Sequence, residues 1–345
     1  MKIAVLNNAV PFVRGGAEHL ADALTQKLQE YGHQPLLVRI PFRWEPPSKI
    51  AAHMLACRLM KMPEVDRVVA FKFPAYYVPH DDKVIWLLHQ FRQAYDLWGT
   101  PLQGLPDSAD GREIRDLIVH ADSSYLAEAR KIFTNSSVTS ERLKRFNGLD
   151  SEVLHPPLLN DEQFVCGEYG DYVLALGRVN GAKRQQLLVE SMEHCHSGVK
   201  LIVAGKAETK EYADGINTAV RKQGLHDRVR FIDRFISEEE KVELLSGALA
   251  CAYIPYDEDS YGYVTLEAFL SRKPVLTCLD SGGIHELVKD DVTGRIVAAD
   301  PEAVAQAIDE LYRNKALARR MGEAGYDLAQ ELDINWGRVI ERLTA

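Results

Sequence analysis

An α/β fold of two parallel-sheet domains is what this sequence predicts, and three observations predict it. Its 345 residues are too many for one ordinary α/β core and suit two domains. The same order of strand, loop, helix and strand opens at Lys2 and again at Tyr172. A polar, Pro-containing stretch, 155–170, separates the two halves and reads as a linker. The expected domains are 1–165 and 166–325, with residues 326–345 forming a C-terminal helix that packs back on the first domain.

In the first half, Lys2–Leu6 (KIAVL) is a short apolar run closed by Asn7 and Asn8, the mark of a buried strand. Ala17–Glu30 carries apolar residues at 17, 20, 21, 24 and 28, which is helical spacing, and Gly32 follows as a stop. Pro35–Ile40 is a second strand, completing a βαβ unit, which is parallel and right-handed almost without exception. The second half repeats this with a strand at Tyr172–Leu176, a loop at Gly177–Lys183, a helix at Gln185–Glu193 and a strand at Leu201–Ala204. Further strands are expected at 229–232, 250–254 and 275–279. Parallel sheets bind ligands at the carboxyl ends of their strands, so a cleft between the domains is where chemistry is expected.

Composition excludes several classes. The 46% apolar and 26% charged content is that of a soluble globular protein. The uncharged run Leu244–Tyr256 falls short of the roughly 20 residues a spanning helix needs. The opening Met-Lys-Ile-Ala-Val-Leu-Asn-Asn lacks the shape of a signal peptide. Five single cysteines with no CxxC pair argue against a disulfide framework or structural zinc and favour the cytoplasm. Residues 1–165 hold 19 Lys and Arg against 20 Asp and Glu, the remainder 22 against 30, and no basic stripe for nucleic acid stands out. Arg130, Lys131, Arg142, Lys144 and Arg145 read as a solvated face; the sharper reading is weak peripheral contact with anionic lipid on the inner face of a membrane.

Three loops carry candidate chemistry. Gly15 and Gly16, after Val13 and Arg14, open a helix whose N-terminus favours an anion. This is no dehydrogenase fingerprint: GxGxxG is missing, and Arg39 stands where an NAD site needs an acid. The loop Gly177-Arg178-Val179-Asn180-Gly181-Ala182-Lys183-Arg184 offers two glycines with cations at 178 and 183, which suits a diphosphate, and it is not a Walker A loop. The segment Asp259-Ser260-Tyr261-Gly262-Tyr263-Val264-Thr265-Leu266-Glu267-Ala268 must hold a turn and a crossover helix. That helix starts near Tyr263 and aims its free N–H groups past Gly262, with Glu267 one turn in, within reach of ribose hydroxyls.

That segment resembles the E-x7-E signature of family-four retaining glycosyltransferases. Other landmarks of the family fall in order: Gly15-Gly16-Ala17-Glu18, Asn135-Ser136, Pro156-Pro157, Gly177-Arg178 with Lys183, and Gly205 after a strand. Lys273-Pro274-Val275 and Ser281-Gly282-Gly283-Ile284-His285-Glu286 complete the set. The resemblance implies a GT-B fold, with a nucleotide-sugar donor held mainly by the second domain and a glycan, lipid-linked or small-molecule acceptor by the first. It implies phosphate and donor contacts at Gly15, Gly16, Gly177, Arg178, Lys183, Gly205, Gly262, Tyr263, Val264 and Glu267. Asp259 would meet the donor sugar, although the first acid of the signature is usually Glu, and His89 stands where the family often places a histidine facing that sugar. No metal and no cofactor are expected, the nucleotide-sugar being a co-substrate. Asp257-Glu258-Asp259 matches a DxD metal motif, read here as coincidence.

Other functions are set aside on chemistry. A retaining glycosidase needs carboxyls about 5–5.5 Å apart, whereas eight helical positions between Asp259 and Glu267 span about 12 Å. A nucleotide-sugar epimerase of the same fold, or a donor-binding relative without catalysis, stays as the alternative.

Overall fold

The computed structural model describes residues 1–10, 15–100 and 102–345, so Val13 and Arg14 lie outside the described residues. Two compact units emerge: Met1–Pro157 with Asn335–Ala345, and Leu158–Ile334.

The first unit is built on six parallel strands: β1 (Lys2–Ala9), β2 (Gln34–Pro41), β3 (Arg67–Lys72), β4 (Lys83–His89), β5 (Lys131–Thr134) and β6 (Glu152–Val153), in spatial order β2-β1-β3-β4-β5-β6. Helices α1 (Gly16–Glu30), α2 (Ile50–Leu59), α3 (Ala109–Tyr125) and α4 (Ser137–Asn147) belong to it. β1 does not stop at Leu6, because Asn7 and Asn8 continue the register against Arg39 and Ile40 of β2. Backbone pairing outweighs side-chain polarity there, at a strand end where the side chains need not all be buried.

The second unit repeats the plan with β7 (Tyr172–Leu176), β8 (Lys200–Ala204), β9 (Val229–Ile232), β10 (Ala250–Ala252), β11 (Val275–Cys278) and β12 (Gly294–Val297), in order β12-β11-β10-β7-β8-β9. Its helices are α5 (Gln185–Ser191), α6 (Lys210–Lys222), α7 (Glu238–Ser246), α8 (Tyr263–Leu270), α9 (Pro301–Arg313) and α10 (Lys315–Glu331). β10 is three residues, shorter than the expected 250–254.

The last helix, α11 (Trp336–Thr344), buries Trp336, Val339, Ile340 and Leu343, one stripe at helical spacing. It belongs to the first unit, where Arg67 of β3 donates to the carbonyls of Leu343 at 2.8 Å and Ala345 at 3.0 Å. The unit divisions fall at 157/158 and 334/335, against expected boundaries at 165 and 325. The reason for the later division is close packing: a Cβ on Gly322 would lie 2.0 Å from the Arg272 carbonyl oxygen, and one on Gly325 2.5 Å from the Phe269 ring. Those glycines seat α10 on α8, so residues up to 331 stay with the second unit. No described helix is long and apolar enough to cross a membrane.

Candidate functional site

The second unit gathers its polar groups where β7, β8 and β10 end. Gly177 follows β7 at φ +110°, with open space where a Cβ would project. Gly205 follows β8 at φ +150°, and a Cβ there would strike the Gly177 carbonyl oxygen at 2.0 Å. Gly205 is thus explained by the close approach of two loops, and Gly177 is the one that leaves room for a ligand.

Asn180 caps the short turn at 181–183, accepting from the Lys183 N–H at 3.0 Å. That turn delivers the Lys183 ammonium to the Tyr253 hydroxyl at 2.6 Å and into an ion pair with Glu258. Burial alone would lower the Lys183 pKa, but Tyr253 and Glu258 more than offset it and hold the ammonium above its ordinary range. Arg178 is different: its side chain is 52% exposed, and its guanidinium stands 4.0 Å from Glu208. The neighbouring Arg184 is a brace, forked onto Asp280 at 2.7 and 2.8 Å and donating to the carbonyls of Ile254 and Pro255.

α8 begins at Tyr263, as its sequence suggests, behind Gly262 at φ +72°. A Cβ on Gly262 would sit 2.3 Å from the Tyr253 ring, so the residue is fixed both by conformation and by space. Tyr263 and Val264 form the first turn and are partly exposed, while Asp259 is 8% and Glu267 6% exposed. The 257–260 segment is pinned from outside by the loop at 281–283. Glu258 N–H donates to the Ser281 carbonyl at 3.1 Å, Gly283 N–H donates to the Glu258 carbonyl at 2.8 Å, and a Cβ on Gly282 would meet that same carbonyl oxygen at 2.6 Å. The Gly-Gly landmark is therefore a support for the acid-bearing segment. Lys273 of another landmark is fully buried, donating to the Gly167 carbonyl at 3.2 Å over the Tyr169 ring, and burial drops its pKa to about 8.

Sequence reasoning missed Lys241. From α7 it donates to Glu267 Oε1 at 2.6 Å and pairs with Glu238 at 2.8 Å. Burial raises the Glu267 pKa and Lys241 draws it back part of the way. A lone Lys in the acidic run Glu238-Glu239-Glu240-Lys241 gives no signal for a partner 26 residues onward. Glu258 is likewise hidden in sequence as the middle of a DxD coincidence. Among the described residues, no three His, Cys, Asp or Glu side chains converge as a metal-holding group.

In the first unit, Gly15 caps α1 with its N–H donating to Glu18 at 2.9 Å, and Gly16 is the first helical residue. Glu18 also pairs with Lys72 at 3.1 Å, so the anion-favouring end of α1 faces the chain's own carboxylate. His89 ends β4 beside Lys72 in register. Its Nδ1 donates to the Gln90 carbonyl at 2.6 Å, leaving Nε2 as an acceptor. Burial, helped by Lys72, pulls its pKa down to about 4, so the ring is neutral at pH 7. The basic segment runs from Arg130, just before β5, into α4 and is largely paired: Arg130 with Asp82, Lys131 with Glu152, Lys144 with Asp150, and the mostly buried Arg142 with Asp96.

Comparison with known proteins gives a family match inside the second unit. Residues 161–328 match the family described as glycosyl transferases group 1. The human alpha-1,3/1,6-mannosyltransferase ALG2 is 28% identical over 221 residues, 56% of this chain and 52% of that protein. The chain spans about half the length of the curated relatives it matches. Among solved structures, sucrose-phosphate synthase from Thermosynechococcus elongatus superposes with a TM-score of 0.77 at 18% identity, covering 99% of this chain and 97% of that one. HepE from Anabaena, solved with UDP and glucose, gives 0.76 at 17% identity, covering 100% and 99%. At such identities the likeness concerns the fold, which is GT-B. The chain thus has a GT-B fold, and its second unit carries the match to glycosyl transferases group 1.

Proposed function

We propose that this protein is a retaining glycosyltransferase that moves a hexosyl unit from a UDP- or GDP-sugar to a hydroxyl of a glycan, lipid-linked or small-molecule acceptor, without a metal ion. The observation that carries this reading is two ion pairs in the unit that matches the family, Lys183 with Glu258 and Lys241 with Glu267 of α8, with Gly262 opening that helix. Two likenesses support it: one relative is named for mannosyl transfer, and one structural neighbour was solved with UDP and glucose.

In this mechanism the bond between the anomeric carbon and the diphosphate oxygen breaks, and the leaving diphosphate takes the bonding pair. Lys183, Arg178 and the free N–H groups at Tyr263 and Val264 stabilise the charge that develops there, which is where preorganised donors are worth most. The loop from Gly177 admits the phosphates closely, and Gly262 lets α8 point at them. Glu267 accepts from ribose hydroxyls, Asp259 from sugar hydroxyls, and the neutral His89 offers Nε2 to the sugar. The acceptor oxygen attacks the oxocarbenium-like carbon from the face the diphosphate leaves, and its proton passes to a leaving phosphate oxygen.

A thermal-shift panel of UDP, GDP, ADP and their sugars tests the donor, since a bound ligand stabilises by RT ln(1 + [L]/Kd). One nucleotide is expected to stand out. With that donor, proton NMR of the product is expected to show the donor's anomeric configuration retained in EDTA. An inverted product overturns the retaining assignment; activity lost to chelator and restored by manganese overturns metal independence and returns Asp257 and Asp259 as ligands.

A further inference from the structure

Glu267 poses a physical problem that its own helix does not solve. A carboxylate 6% exposed loses most of its hydration, which favours the protonated form, and a protonated carboxyl is a poor double acceptor for vicinal hydroxyls. Among the described residues, few groups face it. On its own segment stand Tyr261 and Tyr263, neither of which brings positive charge, and from β10 comes the thiol of Cys251, whose own pKa burial pushes far up. The cation comes from α7: Lys241 Nζ lies 2.6 Å from Glu267 Oε1. Glu238, one turn earlier on α7, sits 2.8 Å from the same ammonium.

Lys241 is itself held. Its side chain is 17% exposed, it lies over the Phe164 ring at 5.7 Å, and Ser237 caps its helix by accepting from Glu240 N–H at 3.2 Å. The bond uses one carboxylate oxygen, Oε1, so Oε2 keeps its lone pairs for a ligand. A half-buried lysine placed on a capped helix, clamped by a second acid and paired with a buried carboxylate, is more than a surface ion pair, whose typical worth is small.

We propose that Lys241 is a positioning residue for nucleotide recognition: by its ion pair it keeps Glu267 ionised and turned so that the free oxygen receives the ribose hydroxyls of the donor. The inference rests on the assignment of Glu267 to ribose. Lys241 does not touch the nucleotide; it acts through Glu267. It also explains why a carboxylate can be buried at this place at all, because the neutral alternative is disfavoured only while the ammonium is there. The sign of the pH effect follows. The acceptor is the ionised form, so affinity is present at high pH and lost as pH falls; removing Lys241 moves that loss to higher pH.

The test uses the full chain with UDP, GDP and ADP and their 2′-deoxy counterparts, carrying forward the nucleotide that binds wild type most tightly. Calorimetry from about pH 5.5 to 8.5 is run on wild type, Lys241→Met, Lys241→Arg and Glu267→Gln, with thermal unfolding as a check on folding. Wild type is expected to prefer the ribonucleotide. Lys241→Met should lose about tenfold in affinity at neutral pH, recover part of it near pH 8.5, and lose the preference over the 2′-deoxy compound, while Lys241→Arg restores both. Adding Glu267→Gln to Lys241→Met should cost nothing more at neutral pH and should abolish the recovery near pH 8.5, as expected of two residues acting as one unit. A Lys241→Met protein that folds and binds with wild-type affinity and preference across the range, while Glu267→Gln is impaired, overturns the proposal alone. Wild-type preference retained in Glu267→Gln overturns the ribose assignment and the proposal with it.

Discussion

Each unit has its own sheet of six parallel strands, yet the two enclose their charges to different degrees. In the second unit two ionic pairs keep some contact with solvent: Lys183 with Glu258 at 24% and 22% side-chain exposure, Lys241 of α7 with Glu267 of α8 at 17% and 8%. In the first unit the most buried charges are enclosed in the core. Asp122 of α3 is fully buried and accepts from the hydroxyls of Tyr76 at 3.0 Å, Tyr77 at 2.6 Å and Tyr95 at 2.7 Å. Burial pushes its pKa up to about 6 even so. Lys83, also fully buried, is divided among Glu128 and the carbonyls of Tyr76 and Tyr125. A charge enclosed by its own chain tethers the fold. One paired with an edge to solvent can exchange its partner for a ligand. We propose that an edge to solvent separates the charges a ligand can reach from those that only hold the fold.

The largest effect should come from Lys183→Ala, expected to lower kcat by about 10²–10³, or about 2.7–4 kcal/mol of transition-state stabilisation. Turnover at the wild-type rate would remove the phosphate assignment and, with it, the functional half of the contrast. Asp122→Ala tests the other half: three buried hydroxyls lose their acceptor, at about 3 kcal/mol. Urea unfolding should show it in the first unit while nucleotide affinity is unchanged; a loss of affinity without destabilisation would reverse the distinction.

Asp259→Asn, which keeps shape and removes charge, should reduce kcat by about tenfold with nucleotide affinity intact, since a sugar contact matters most as positive charge develops. Wild-type kinetics there would make Asp259 a loop residue only.

The pH dependence of His89 sharpens the first unit's role. Its pKa of about 4 lies below the ordinary 6.5, so the ring gains charge only near pH 4, and the stability it contributes falls as pH drops below about 6.5. The kcat/KM profile should accordingly show no limb near 6.5 that His89→Gln removes; finding one would contradict the neutral ring. The smallest effect is expected at the basic segment, where Lys144→Ala should change sedimentation with anionic vesicles by less than about twofold. A larger loss would revive membrane contact through these paired cations.

Much of the second unit was legible in sequence because central parallel strands, covered on both faces, are written as uninterrupted apolar runs such as YVLAL and LIVA. The first unit between residues 40 and 130 was harder to read: its strands β3 and β4 begin with Arg67 and Lys83, charges buried by partners remote in the chain. The start of α8 behind Gly262 was readable for a local reason, since a glycine before an apolar stretch frees the backbone to turn into a helix. No local signal could join Lys241 to Glu267, set Glu258 on Lys183, or show that Gly205 is a glycine because of Gly177. Sequence by itself determined the repeated strand-helix-strand opening of each unit and the chemistry available, because periodicity and turn residues act over a few positions. Tertiary structure alone decided which charges meet, because ion pairs depend on distances of a few ångströms between segments that only the completed sheet brings together.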